Sequence, residues 1–175
     1  MDLFILRHGY AGNRLPDPME DIKRELTVSG KKEIVEITKS LKKLGVKFTA
    51  VFSSPFTRAL QTAQIISEEY KLTEQIEQSE ELKPDGSKGS LYNKLSKLSI
   101  DSVILIVGHE PYLSSMINDI ISNNDTDRNY NKNHNNNNII LKKAGLSRIK
   151  ITSTVPKFKG ELRWLLTPRI LKKLS

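Results

Sequence analysis

The chain contains no cysteine. That excludes disulfides, thiol nucleophiles and cysteine-ligated metal, and it is compatible with a reducing compartment. Histidine is nearly as scarce, with three residues in 175. One of them, His134, stands in a tract of asparagines, where a solvent-exposed side chain is expected. No apolar run approaches the length of a bilayer span. The opening Met1-Asp2-Leu3 places an acid where a signal peptide carries base, and the apolar stretch that follows stops at Arg7. A soluble, cytoplasmic protein is the expectation. Aromatics are few, with a single tryptophan, and none interleaves with basic residues as in a nucleic-acid-binding stripe.

Acidic residues are also short, 20 against 28 lysines and arginines, for a net charge of +8. Lys31, Lys32, Lys39, Lys42, Lys43 and Lys47 fall on or beside one predicted helix and alternate with Glu33 and Glu36. A solvated helix face accounts for them better than a nucleic-acid or membrane partner does. The length fits one domain over residues 1–175, large enough for a real core. Nothing in the chain requires more than a monomer.

Residues 2–7 read as a short strand apolar on both faces, as in the middle of a parallel sheet. Gly9 to Glu25, with glycine, two prolines and mixed charge, reads as a loop. Thr27 or Ser29 caps a predicted helix running to about Leu44, with Gly45 as its stop. Its apolar positions Ile34, Ile37, Leu41 and Leu44 recur at helical spacing. Ala50–Ser53 reads as a strand, and Ser54 and Pro55 as the cap and first turn of a helix carrying Leu60, Ala63, Ile66 and Tyr70. Leu91, Leu95 and Leu98 mark a shorter helix. Val103–Val107 is a strand of branched aliphatics, and Pro111 opens a helix with Leu113, Ile117, Ile120 and Ile121. Asn123 to Asn138 is too polar to offset its ordering entropy and is expected to be a mobile surface loop. Leu146–Thr152 and Glu161–Thr167 read as strands, with Pro168 opening a short amphipathic tail. Trp164 and Phe158 read as packing residues. The alternation of strands and helices predicts an α/β architecture around a mainly parallel sheet.

Three polar clusters interrupt this pattern. Arg7-His8-Gly9 ends the first apolar run, Ser53-Ser54-Pro55-Phe56-Thr57-Arg58-Ala59 follows the second, and Gly108-His109-Glu110-Pro111 ends the third. Taken singly, each is weak: a histidine after a strand is more often a packed loop residue, and an arginine in a helix is usually half of an ion pair. Their shared position changes the weighing. In an open parallel sheet ligands bind at the carboxyl ends of the strands, so the fold itself gathers the clusters at one edge.

The set suits phosphoryl transfer. Arg7 and Arg58 present planar forks of donors that match phosphate oxygens and stay charged at any relevant pH. A helix N-terminus beside Arg58 adds a favourable dipole. A neutral imidazole is a competent nucleophile and can carry a phosphoryl group. His8, next to the flexible Gly9, is the better placed, with His109 as a second ligand of the phosphate, although the residues alone do not decide which histidine attacks.

Arg7-His8-Gly9, Leu26-Thr27-x-x-Gly30, Ser53-Ser54-Pro55-x-x-Arg58-Ala59-x-Gln61-Thr62-Ala63 and Val107-Gly108-His109-Glu110-Pro111, in this order, resemble the histidine phosphatase superfamily, or phosphoglycerate mutase-like fold. The resemblance runs essentially from end to end. The short length, Glu81-Leu82-Lys83-Pro84 and the closing Gly160-Glu161-Leu162-x-Trp164-Leu165-Leu166-x-Pro168 look most like its SixA-type phosphohistidine phosphatases. The resemblance implies a three-layer α/β/α sandwich, His8 as nucleophile, and Arg7, Arg58 and His109 around the phosphoryl group. It also implies no metal or organic cofactor. The reaction implied is transfer to His8 followed by hydrolysis, with a phosphorylated protein, bearing phosphohistidine, as substrate.

The chain departs from the family pattern at the acid that protonates an ester leaving group. Pro84 stands two residues after Leu82 where that carboxylate is found, with Glu81 and Asp85 flanking it. Tyr10-Ala11-Gly12 replaces the serine or threonine and asparagine of the mutases. An imidazole leaving group accepts a proton far more readily than an alkoxide, which needs general-acid help of about two to four orders of magnitude in rate. The missing acid therefore favours phosphohistidine. The alternatives are a phosphatase of small esters using Glu81 or Asp85, and a non-catalytic phosphate-binding module. Tyr10 either meets substrate or covers the loop, and Arg14 and Lys83 either attract an acidic protein or are solvated.

Overall fold

In the computed structural model of the chain, residues 1–72, 75–122 and 139–174 are described. The expected Asn-rich loop and His134 lie outside them. Six strands form one sheet: β1 (Asp2–Arg7), β2 (Ala50–Ser53), β3 (Ile76–Gln78), β4 (Val103–Gly108), β5 (Leu146–Ser153) and β6 (Lys159–Leu166). Their spatial order is β3-β2-β4-β1-β5-β6. The β2–β3, β2–β4 and β1–β4 pairs are parallel, and β5 and β6 close one side antiparallel.

Alternation along the central strands divides the core into two layers. Leu3, Ile5, Ile104 and Ile106 face one side, packed under Leu91 and Leu95 of α4 (Lys88–Leu95) and Leu113, Met116 and Ile117 of α5 (Tyr112–Ile121). Phe4, Leu6, Leu105 and Val107 face the other, under Ile34, Ile37 and Leu41 of α2 (Val28–Lys43) and Ala59, Ala63 and Ile66 of α3 (Thr57–Tyr70). The result is the expected three-layer α/β/α sandwich. Trp164 packs edge-on to Phe4 and Phe158 stacks on Tyr92, so both are packing residues.

The helix signals hold where they are chemical. Thr27 caps α2, accepting from the Gly30 N–H, and Gly45 follows its end. Two expectations are corrected. The segment from Gly9 to Glu25 contains a short helix, α1 (Pro18–Lys23), capped by Asp17 with Pro18 in its first turn. It lacks apolar periodicity because Pro18, Met19 and Glu20 are exposed. The helix after β2 starts at Thr57 and not at Pro55, and Ser54 does not cap it. The Ser54 hydroxyl is spent elsewhere, and Arg58 consequently stands in the first turn. The chain ends in α6 (Pro168–Lys172), whose Leu171 packs against the α2–α3 side.

Candidate functional site

Register builds the site. Arg7 of β1 lies beside Gly108 of β4, and Ser53 of β2 beside Val107. The next residue on each strand is therefore His8, His109 or Ser54, and all three leave the sheet at one edge. Backbone hydrogen bonds extend the pairing past the strands, from His8 N–H to Gly108 O (3.1 Å) and from Ser54 N–H to Val107 O (2.9 Å). The His8 and His109 rings consequently approach to 5.1 Å between centroids. Arg7 and Arg58 flank them, and all four side chains line one cavity of about 590 Å³.

Each side chain is held by the chain around it. His8 Nδ1 lies 2.8 Å from Gly9 O, so it carries the proton and donates, and the lone pair is left on Nε2. The Gly9 N–H in turn donates to Thr62 Oγ1 (3.0 Å), and the Thr62 hydroxyl donates to Arg58 O (2.7 Å). One α3 residue thus ties the His8 loop to the turn carrying Arg58. The neighbouring Gln61 accepts from the Leu26 N–H at 2.8 Å and ties in the start of α2. On the far side, the Ala144 N–H donates to Arg7 O and His8 O, and Leu141 O accepts from Arg7 Nη1 at 3.0 Å.

The second histidine pairs through Nε2 with Ser54 Oγ at 2.8 Å, and the Phe56 ring lies 5.0 Å from it. Arg58 donates to Asp21 O at 2.7 Å and approaches its carboxylate at 3.4 Å. Asp21 also takes Arg24 Nε at 2.8 Å and the Leu15 N–H at 2.9 Å. Burial pushes the Asp21 carboxyl up, but Arg24, Leu15 and Arg58 together hold it below the ordinary carboxylate range.

Burial, reinforced by the arginine charges, pushes His8 down to about 3, against the pull of its Gly9 hydrogen bond. Burial and the neighbouring His8 and arginines push His109 down to about 2. Both imidazoles are neutral at physiological pH. Arg7 Nε, Arg58 Nε and His109 Nδ1 are buried without a hydrogen-bond partner. An enclosed pair of neutral imidazoles between two arginines is matched to an oxyanion.

The acid candidates separate. Glu81, in the 3-10 turn Glu80–Leu82, is not among the residues lining the cavity. The Ser79 hydroxyl (2.6 Å) and Lys94 (3.2 Å) hold it ionised. Asp85 and Pro84 do line the cavity. So does Glu110, whose carboxyl is pushed up by burial against the opposing pull of the Ser114 hydroxyl and Arg7. Tyr10 is not among the lining residues and sits under the Lys143 ammonium, 4.6 Å from its ring centroid. Arg14 lines the cavity, whereas Lys83 pairs with Glu80. Among the described residues no group of three or more His, Asp or Glu is placed to share a metal ion, and no helix is long and apolar enough to cross a membrane.

Asp21 and the Leu141–Ala144 turn were not legible as site residues from the sequence, and Gln61 and Thr62 stood in the motif after β2 with no role assigned to them. Ser54 and Glu110 stood inside quoted motifs, but their partners are distant in the chain.

The family profile described as Histidine phosphatase superfamily (branch 1) matches residues 3–84. The phosphohistidine phosphatase SixA of Escherichia coli (strain K12) is 32% identical over 119 residues, 67% of this chain and 72% of that protein. A structure of the protein histidine phosphatase SixA complexed with tungstate superposes with a TM-score of 0.79 at 24% identity, covering 98% of this chain and 99% of that one. A phosphoserine phosphatase from Entamoeba histolytica, in complex with phosphoserine, shares the fold at a TM-score of 0.66 and 16% identity, covering 96% and 98%. With these likenesses and a four-residue pocket on one sheet edge, the chain belongs to the histidine phosphatase superfamily, as a SixA-like phosphatase.

Proposed function

We propose that the chain hydrolyses phosphohistidine on protein substrates, with His8 as nucleophile and without a cofactor. The observation that carries this reading is the His8 tautomer: Nδ1–H is committed to Gly9 O, and burial keeps Nε2 unprotonated. Nε2 attacks phosphorus as the P–N bond to the substrate imidazole breaks. The electron pair of that bond goes to the leaving nitrogen, which takes up a proton. Water then attacks phospho-His8, releasing orthophosphate and restoring the imidazole. Arg7, Arg58 and His109 supply donors for the oxygens, and their charge is worth most where it accumulates in the transition state. The four side chains are rigid because each is held by backbone or by a buried neighbour, so little reorganisation accompanies the step.

The substrate class follows from the leaving group and from the likeness to phosphohistidine phosphatase SixA. The position two after Leu82 carries proline, and Glu81 is held ionised away from the cavity. A leaving imidazole tolerates this better than an alkoxide. A second reading, hydrolysis of small phosphate esters, is favoured by Glu110 and Asp85, which line the cavity and include one carboxyl pushed toward its protonated form.

Turnover of a phosphohistidine-bearing protein against simple phosphate esters, with His8→Ala as blank, separates the readings. Preference for phosphohistidine by at least about a hundredfold in kcat/KM, abolished in His8→Ala, is the expected result, the size of one general-acid contribution. Equal or better ester turnover, with an acid limb in its pH profile that Glu110→Gln or Asp85→Asn removes, would establish the second reading instead. Binding of phosphate without turnover of either would leave only a phosphate-binding module.

A further inference from the structure

The cavity is larger than a phosphoryl group requires, and its cations are not all committed. Arg7 and Arg58 flank the histidines. Arg24 is structural: it is paired with Asp21 and donates to Ala11 O (2.8 Å) and Gly12 O (3.1 Å). That leaves Lys143 and Arg14, both lining the cavity and neither with a carboxylate partner among the described residues. Lys143 Nζ reaches Gly12 O at 3.5 Å, and Arg14 leaves the backbone two residues beyond that carbonyl. The two cations therefore share one rim, formed by residues 12–14.

This rim has a defined side. Lys143 precedes β5 and the 12–14 segment follows β1, whereas Phe56 follows β2 and Pro84 follows β3. In the sheet order β3-β2-β4-β1-β5, Lys143 comes in from the β5 side and Phe56 and Pro84 from the β2–β3 side, with the histidines after β1 and β4 between them. Lys143 and Arg14 line one part of the cavity, while Phe56, with the Arg58 guanidinium over its ring, Pro84 and Asp85 line another. Lys143 is also pre-positioned: its ammonium rests over the Tyr10 ring, and the next residue, Ala144, is hydrogen-bonded to Arg7 O and His8 O. Burial, and then the charges of Arg7, Arg24 and Arg58, push its ammonium down.

We propose that Lys143 and Arg14 form a second anion subsite, which receives a carboxylate flanking the phosphohistidine of the protein substrate. The proposal rests on the phosphohistidine reading for its ligand, while the subsite itself rests on the cation geometry alone. A substrate with aspartate or glutamate beside its phosphohistidine would place its phosphoryl group between the arginines and its carboxylate on the 12–14 rim. A substrate lacking that acid would bind by the phosphoryl group only.

The test uses two phosphohistidine peptides that differ only by aspartate or asparagine at the flanking position, and reads the ratio of their kcat/KM values. The wild-type chain is expected to favour the acidic peptide about fivefold to tenfold, the size of one charge-assisted contact at a half-exposed site, and mainly through KM. The preference should shrink toward unity in Lys143→Gln and Arg14→Gln, invert in Lys143→Glu, and fade with added salt. A wild-type ratio near unity, or a preference that survives both neutral variants, would overturn the subsite. The same ratio read with 3-carboxyphenyl phosphate against phenyl phosphate needs no phosphohistidine. If the peptides are not hydrolysed but the carboxylated ester is preferred, the phosphohistidine reading fails and the subsite stands.

Discussion

At the scale of the residue, the two histidines differ in what holds them. His8 is oriented by its own strand end, through Gly9 O, whereas His109 is oriented from another strand, through Ser54. Ser54→Ala therefore removes the partner of one His109 nitrogen and leaves the other pocket side chains in place. A buried imidazole nitrogen left unpaired costs about 1–3 kcal/mol. If His109 binds the phosphoryl group as proposed, the expected outcome is a lowered Tm together with a loss in kcat of about tenfold. Steady-state kinetics beside thermal unfolding checks it. Retention of kcat with only a lowered Tm would make the Ser54 hydroxyl a packing contact. That Ser54 serves His109 rather than α3 could not be read from Ser-Pro after a strand, because the cap pattern is local and the imidazole is 55 residues away.

At the scale of the element, the Leu26-Thr27-x-x-Gly30 motif shows why a helix start with no catalytic group belongs to the site. Thr27 caps α2, its N–H donates to Tyr10 O at 2.9 Å, and Leu26 is held by Gln61 of α3. The first turn of α2 is thus pressed against the loop that follows His8. A Cβ at Gly30 would lie 2.2 Å from Tyr10 O, a contact that backbone must yield to. Gly30→Ala is expected to destabilise the fold by about 1–3 kcal/mol despite the better helix propensity of alanine. It should also lower kcat by displacing the Gly9–Tyr10 turn. Denaturant unfolding and turnover of the same variant check this. A stabilised, fully active Gly30→Ala would mean that propensity governs and the close approach does not. The helices α2 to α5 were legible from the sequence because burial on one side imposes a helical apolar period. The central strands were legible because burial on both faces makes them continuous apolar runs. Two elements were not. The helix α1 is exposed over much of its length, and β3 is a three-residue edge strand with too few side chains to show a period.

At the scale of the whole molecule, the site imposes a cost that shows in the response to acid. Unfolded imidazoles protonate below about 6.5, whereas His8 and His109 in the fold stay neutral down to about 3 and about 2. Between those limits the unfolded chain binds more protons, so stability is fully present above about pH 6.5 and is lost as pH falls through the window. Each histidine contributes a slope of up to about 1.4 kcal/mol per pH unit. Urea unfolding between about pH 7 and pH 5 should show this dependence, and a His8→Asn, His109→Asn double variant should flatten it. An unchanged slope in the double variant would assign the acid sensitivity to carboxylates such as Asp21, held below their ordinary range and protonated at lower pH.

The sequence by itself determined the fold class, the position of the three polar clusters after strands, and the four side chains of the pocket. Those properties are carried by short-range pattern: apolar runs, helical spacing, and residue types with one chemistry. Only the tertiary structure decided which acids reach the cavity, which hydroxyl orients His109, and which cations are left uncommitted. Glu81 and Asp85 look equivalent along the chain, yet Lys94 and Ser79 hold the first ionised away from the cavity while the second lines it. Arg24 and Lys143 look like ordinary basic residues, yet one is paired with Asp21 and the other has no carboxylate partner among the described residues. Partners distant in sequence are set by strand order and register, and no local pattern encodes either.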